Sequence, residues 1–411
     1  MARGNIGKVI VVGAGPVGLL TALLLAKKGI PVEILEAQSK VNESPRGLAY
    51  GLPAVKVLQR AGVLEETIKR GFIPKDVAWR HPDGEYIIGF NRLEALADGL
   101  PRSVVLPVGS LSTLLLEEVQ KYSNATIHWG HRVIGVGQDD NNGWVDVEEH
   151  GSTLTKRLHA KFVIGCDGAG SAVRKALSGG SFPGYTWPQT LVAVNVSADF
   201  DKLEFSDVQW IIHPENWFVI ARIDKRGLWR VVYGEAPGLS AEEIRARLPD
   251  RFRKTLPGHP EPEEYRIQNV TPYTVHQRCA EKMRVGRVLM AGDAAHLNNP
   301  MGGLGLTTGV SDVGSLIDCL YGIHDGKASL DILDKYDEIR RKIFNQVTDV
   351  TSTANFRRIM QSSENVAGSD PFFQLLAKVK EDPNVAAALL SHELSIGCDM
   401  TQFYDKVITR N

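Results

Sequence analysis

The chain has 411 residues, 43% of them hydrophobic, which is enough for one large core or two fused ones and excludes a disordered protein. Lysine and arginine total 47 against 48 for aspartate and glutamate, so no surplus charge exists to condense on a nucleic-acid backbone or an anionic membrane. The four cysteines, Cys166, Cys279, Cys319 and Cys398, stand far apart without a C-x-x-C pair, which argues against a disulfide framework or a zinc site and suits a cytoplasmic protein.

In chain order, the first predicted elements are the strand KVIVVG, a glycine turn, the helix VGLLTALLLAKKG and a second strand VEILEA, together a βαβ half-unit. The uncharged run from Val9 to Ala26 is nearly long enough to span a bilayer. Gly13, Gly15, Pro16 and Gly18 interrupt it, so it reads as strand, turn and helix, with no membrane span. Gly13-Ala-Gly15-Pro-Val-Gly18 fits G-x-G-x-x-G in the context that gives this pattern meaning, with a strand before it, a helix after it and an acid, Glu36, ending the next strand. Gly13 permits the tight turn, Gly15 lets a pyrophosphate approach the backbone, and Gly18 lets helix and strand pack closely, while the helix N-terminus faces the negative charge. Glu36 would then hold adenosine ribose hydroxyls.

From His131 to Asp167 the pattern turns to β: HRVIGVG, the turn DDNNG, WVDVEE, and the buried run FVIGCDG. DDNNG lacks the later acidic ligands of a calcium loop and reads as a hairpin turn. FVIGCDG delivers a second motif, Cys166-Asp167-Gly168-Ala-Gly170-Ser171, followed by Arg174. Between Phe182 and Tyr273 the runs LVAVNVSADF, VQWIIH, WFVIARI and LWRVVYG predict one antiparallel sheet, the last two joined by DKRG. A third motif runs from Gly286 through Gly292-Asp293-Ala-Ala-His296 into Asn299-Pro300-Met-Gly302-Gly303-Leu304-Gly305-Leu306-Thr307. There a buried strand brings an acid to its carboxyl end and a glycine-rich loop opens a helix, so the carboxylate can accept from a polyol and the free amides can stabilise negative charge on a ring. Helices are predicted from Gly305 to Leu320, from Leu330 through Arg358 and from Phe372 to Tyr404.

The three motifs, in this order and at these separations, resemble the class A FAD-dependent aromatic hydroxylases, the flavoprotein monooxygenases typified by para-hydroxybenzoate hydroxylase; the resemblance covers roughly residues 6–345. It implies an α/β fold with a Rossmann-like FAD-binding domain of the GR2 type (1–75, 103–181 and 272–350), an inserted antiparallel-sheet substrate domain (76–102 and 182–271) and a C-terminal helical segment (351–411). It also implies FAD held by Gly13, Gly15, Pro16, Gly18, Glu36, Ala37, Arg46 and Val133, by Asp167 and Gly168 of the second motif, and by Asp293 on the ribityl chain. Pro300, Gly303, Leu304, Gly305, Leu306 and Thr307 would lie along the isoalloxazine ring. Two positions depart from the family pattern: Leu304 stands where Gln or Lys is usual, and Thr307 where Asn is usual, so ring contacts would rest on backbone. The helix LPVGSLSTLLLEE also lacks the usual Gln or Arg toward the cofactor.

The implied activity is an NADH- or NADPH-consuming monooxygenase that inserts one atom of dioxygen into an electron-rich aromatic substrate through a flavin hydroperoxide, as a monomer or homodimer. Within LWRVVYG, Trp229, Val231 and Tyr233 share one face, and Arg222 lies on the paired strand. Arg222 could anchor a carboxylate or phenolate, with Tyr233 or His213 relaying a proton; a structural role for each is the competing reading. His296 reads as a loop-packing residue, and His128 and His131 lack the acids of a metal site. A halogenase would need a W-x-W-x-I-P segment that TWPQT does not match. An FAD-dependent reductase, oxidase or epoxidase and a non-catalytic FAD-binding redox module stay open.

Overall fold

The uncharged N-terminal run folds into the strand Val9–Val12, a turn and the helix Pro16–Lys27, and both elements are almost wholly buried. Such a strand can be apolar at every position because it lies inside a parallel sheet covered on both faces. In the computed structural model, which describes residues 6–42, 47–91, 99–152 and 154–405, it pairs in parallel with Val32–Glu36 on one side and Phe162–Gly165 on the other. Ala125–Trp129 extends the sheet beyond Val32–Glu36, and Val288–Met290 with Arg284–Val285 extends it beyond Phe162–Gly165. All three glycine-acid motifs therefore leave neighbouring or near-neighbouring strands of one sheet at the same end, where an open α/β sheet binds its ligand.

A three-stranded sheet, Thr155–Ala160, Gly143–Glu149 and His131–Gln138, lies beside it. DDNNG makes the expected turn: the Asp139 carboxylate accepts from the amides of Asn141 and Asn142 at 2.7 and 2.8 Å. The strand Thr155–Ala160 was not expected, because its residues TKRLHA are nearly all exposed and carry no apolar alternation.

The second large element is an eight-stranded sheet in the order His296–Leu297, Tyr265–Cys279, Gly184–Ala198, Leu228–Glu235, Phe218–Arg222, Val208–Ile211, Asp76–Arg80, Tyr86–Asn91. It differs from the expected antiparallel sheet in one pair, since Asp76–Arg80 runs parallel to Val208–Ile211. The expected domain boundary between 271 and 272 falls inside the continuous strand Tyr265–Cys279, which carries the sheet up to the third motif and pairs there with His296–Leu297. The helix Asp349–Ile359 likewise crosses the expected boundary at 350.

The two faces of this sheet have different partners. The helix Ala241–Thr255, started by a Ser240/Glu243 capping box, lays Ile244, Leu248 and Phe252 on Trp229, Val231 and Tyr233. On the opposite face, Leu191, Trp210, Trp217 and Val275 pack with Met301 and with Phe356, Ile359, Val366, Phe373 and Leu376 of the C-terminal helices. The C-terminal segment is thus a wall of the molecule's second core.

The long helix Leu304–His324 carries a carboxylate, Asp312, with no solvent exposure. Asp312 accepts from Arg340 Nε at 2.6 Å and from the Gly292 amide at 2.9 Å, and its Oδ2 lies 2.6 Å from His296 Nε2. Arg340, equally buried, also donates to the carbonyls of Ile396 and Thr308. Burial pushes the Asp312 carboxyl up, but His296, Arg340 and the amide outweigh it and hold it below the ordinary carboxylate value. Replacing one partner strands the other as an unpaired buried charge, so Arg340→Met is expected to cost about 3–5 kcal/mol of stability, read as a lower urea midpoint. The Asp312 contribution is complete above its unfolded pKa of about 3.9 and fades as pH falls through the lower folded value.

Candidate active site

Gly13 sits at φ +102°, and a Cβ there would meet the Cys166 carbonyl oxygen at 2.5 Å; at Gly18 it would meet the Gly13 carbonyl at 2.0 Å. Gly13 is demanded by the packing of the first motif against the second, and Gly18 by the closeness of the turn to its own helix. Gly15 is different. Its φ is −74°, ordinary for any residue, and a Cβ would meet nothing within 4 Å. It caps the helix Pro16–Lys27, whose first-turn amides have no intrahelical acceptors. Open space over free amides at a helix N-terminus is the cradle a pyrophosphate requires.

Glu36 ends its strand at the edge of this cradle and accepts from the amides of Ala14 and Gln38, each at 2.8 Å. Each oxygen keeps acceptor capacity for a ribose hydroxyl. Ala37 follows it on the surface, and Val133 is buried beneath, paired with Val147. Arg46 lies outside the described residues.

In the second motif, Asp167 caps the short helix Ala172–Ser178, accepting from Ser171 Oγ at 2.6 Å and the Ala172 amide at 2.7 Å. Its carboxylate shapes the loop, while Gly168 and Gly170 face open space. Buried Arg174 joins this loop to the third motif, donating to the carbonyls of Ala169 and Ala294 at 2.8 and 3.0 Å. Asp293 is exposed, yet enough protein surrounds it for desolvation to raise its carboxyl. Its exposure leaves the carboxylate free to accept from a polyol chain. These features fit FAD.

The glycine loop after Asp293 has left-handed residues at Gly302 (φ +102°) and Gly303 (φ +67°), the latter capping the helix Leu304–His324. Pro300 is exposed, Met301 buried, and Leu304, Gly305 and Leu306 half-buried. Thr307 accepts from the Gly51 amide at 2.9 Å, and Leu306 packs so closely on Gly47 that a Cβ there would lie 2.4 Å from it.

The structure engages Arg222, Tyr233 and His213, the residues expected to face a substrate, in other contacts. Arg222 bonds Asp207 at 2.7 Å and also pairs with Asp201, its guanidinium stacked on Trp229. Tyr233 is buried beneath the helix Ala241–Thr255, where desolvation raises its phenol. His213 Nδ1 accepts from the amides of Glu215 and Asn216 and fastens a turn. The physical reason is the two-residue period: Trp229, Val231 and Tyr233 face the helix, so Arg230 and Val232 face the other way.

That other face carries two residues the sequence reading did not single out. Arg230, largely buried, donates to Asn195 Oδ1 at 3.0 Å, and burial lowers its pKa to about 10. Tyr273, in the cluster that contains Met301, is pushed up to about 12 by burial, with Arg230 close enough to oppose the shift. The amphipathic stretch IRARLPDRF, just after LWRVVYG, was the available signal that one strand face was already claimed.

A sequence-family model described as FAD binding domain matches residues 7–351. The chain belongs to this family of FAD-dependent flavoprotein monooxygenases. It is 44% identical over 355 residues to para-nitrophenol 4-monooxygenase of Pseudomonas sp. strain WBC-3, covering 86% of this chain and 87% of that protein. It is 37% identical over 366 residues to 6-hydroxy-3-succinoylpyridine 3-monooxygenase of Pseudomonas putida, covering 88% and 91%. The crystal structure of p-nitrophenol 4-monooxygenase PnpA from Pseudomonas putida superposes with a TM-score of 0.88 at 40% identity, covering 96% of this chain and 99% of that one. As a flavoprotein monooxygenase of the aromatic-hydroxylase type, the chain binds FAD.

The contrast between the first-motif glycines is testable. Gly15→Val should fold with a melting temperature close to that of the parent apoprotein but lose FAD affinity by at least roughly tenfold, because the side chain fills the pyrophosphate cradle. Gly13→Val should instead fail to give folded protein. Apoprotein melting and flavin fluorescence titration check both.

Proposed function

We propose that the chain hydroxylates a phenol or a hydroxylated nitrogen heteroaromatic ring, with NADH or NADPH as reductant and dioxygen as co-substrate. The observation that carries this reading is Tyr273, partly buried on the sheet face shared with Met301 and close to the Arg230 guanidinium. The names of the two curated relatives, a nitrophenol monooxygenase and a hydroxypyridine monooxygenase, support the same substrate class.

Bound FAD supplies the two-electron chemistry that activates dioxygen. The protein's part is to bind a ring, exclude water and make that ring electron-rich. Trp187, Leu191, Val232 and Met301 supply apolar surface around the proposed position. A phenol attacks an electrophilic oxygen faster as its phenolate, so the groups around its oxygen matter most. Tyr273 keeps its own proton throughout the working pH range and can donate it to a phenolate oxygen. The positive field of Arg230 favours that anion in an enclosed setting.

Tyr273→Phe should therefore lower the hydroxylation rate by about 10²-fold with little loss of bound FAD, since it removes the hydrogen bond and nothing else. Arg230→Met should move the acid limb of the activity profile to higher pH, because a substrate phenol without the nearby cation ionises less readily. Arg222→Met should lower stability without moving that limb. The direct test is turnover of para-nitrophenol and simple hydroxypyridines with NADH or NADPH under labelled dioxygen. One labelled oxygen atom in the product is expected; reductant consumption that no such ring accelerates would overturn the proposal.

A further inference from the structure

Gln277 lies in the strand Tyr265–Cys279, is 2% exposed, and uses both ends of its amide. Its oxygen accepts from the Asn299 backbone amide at 2.9 Å and the Asn299 side chain at 3.2 Å, with Trp187 Nε1 at 3.5 Å. Its nitrogen donates to Asp349 Oδ1 at 2.6 Å and to Ser352 Oγ at 2.9 Å. Asn299 Oδ1 in turn accepts from the Met301 amide at 3.0 Å. One side chain thus links three elements: the sheet, the glycine loop before Leu304, and the first turn of the helix Asp349–Ile359.

We propose that Gln277 is a positioning residue for the cofactor, fixing the loop Asn299–Gly303 against the helix Asp349–Ile359 so that the flavin ring meets a loop of set shape. Gly302 and Gly303 occupy left-handed conformations, so beyond the Gly303 amide to Pro300 carbonyl bond at 3.0 Å the loop needs outside anchors. Asn299 and Met301 supply them, and both are tied, directly or through one further bond, to Gln277. The residue type is specified by its neighbours. Two donors on Asn299 need an acceptor, and a carboxylate and a hydroxyl on the far side need a donor; an amide offers both in one plane. Glutamate would set a second carboxylate against Asp349, and leucine would leave buried polar groups on both sides unpaired. The helix Asp349–Ile359 also brings Phe356 and Ile359 to the cluster that holds Met301. The same amide therefore sets the distance between the flavin-facing loop and the wall of the proposed substrate chamber.

The inference rests on the FAD site and not on the identity of the ring, so its test needs no substrate. Purified holoprotein carrying Gln277→Leu, Asp349→Leu or Asp349→Asn is compared with the parent for FAD dissociation constant, visible flavin spectrum and apoprotein melting temperature. Gln277→Leu should raise the dissociation constant roughly tenfold and alter the flavin absorption band, equivalent to losing about 1.4 kcal/mol of binding. Asp349→Leu should move both readouts in the same direction. Asp349→Asn keeps an acceptor oxygen for the Gln277 amide and should restore both to within about twofold of the parent. A general loss of stability would lower melting temperature in all three variants without this pattern. The proposal is overturned if Gln277→Leu binds FAD with the parental constant and spectrum. If that variant does not fold, an Asp349→Asn protein as impaired as Asp349→Leu overturns it.

Discussion

A carboxylate sealed from water must be neutralised by protein, and how Asp312 meets this condition ties much of the molecule together. Its partners come from the third motif (Gly292 and His296) and from the following helix (Arg340), and Arg340 reaches on to Ile396 near the C-terminus. The turn that presents Asp293 to the cleft is therefore braced from behind by a charge cluster. His296 is stacked on Phe344, which opens the five-residue π-helical turn Phe344–Thr348. That turn connects the helix bearing Arg340 to the helix bearing Asp349, so the cluster behind the cofactor loop and the Gln277 network beside it share one rigid support. Such a cluster is weak evidence for net stability, since a hydrophobic replacement can serve as well. Its use here is geometric, because charges with few allowed partners fix which segments meet.

The eight-stranded sheet obeys a simpler rule with equal consequence. Alternate residues of one strand face opposite ways, and each face of this sheet answers to a different neighbour. The helix Ala241–Thr255 needs an apolar surface for Ile244, Leu248 and Phe252 and takes Trp229, Val231 and Tyr233. What remains, Arg230, Val232, Asn195 and Tyr273, faces the side of Met301. The polar groups on that side are separated by the apolar surface of Trp187, Leu191 and Val275.

The cofactor-binding frame was legible in the sequence because its glycines answer to local geometry. Gly18 is fixed by the Gly13 carbonyl within one strand–turn–helix unit and Glu36 ends the next strand; Gly13 is set by its own left-handed φ as well as by Cys166 of the distant second motif. Which face of the eight-stranded sheet the helix Ala241–Thr255 covers was not legible by the same means. LWRVVYG alternates two ways, and aromatic content favoured the set that went to the helix core. Deciding between the sets required knowing which element packs on which side, a long-range fact that no window of residues contains. The strand Thr155–Ala160 was lost for a related reason: at an exposed edge only Leu158 and Ala160 turn toward the core, too few to mark an apolar rhythm. Gln277 looked like any polar residue in a strand, since its partners, Asn299, Asp349 and Ser352, come from two later segments.

The departures of this chain from its family's loop pattern also acquire a physical reading. Where the family usually carries Asn, Thr307 uses its hydroxyl to hold the Gly51 amide, and Leu306 presses on Gly47, so the start of the helix Leu304–His324 is clamped to the segment around Ala49–Gly51. Side chains employed in that clamp are not offered to a ring. The first-turn amides of the same helix have no intrahelical acceptors and point out of its N-terminus beside Gly303. Backbone donors at a helix start carry a partial positive charge that favours a bound anion and needs no side-chain ordering. Clamping the helix fixes those donors in direction, because Thr307 and Leu306 hold their turn in place.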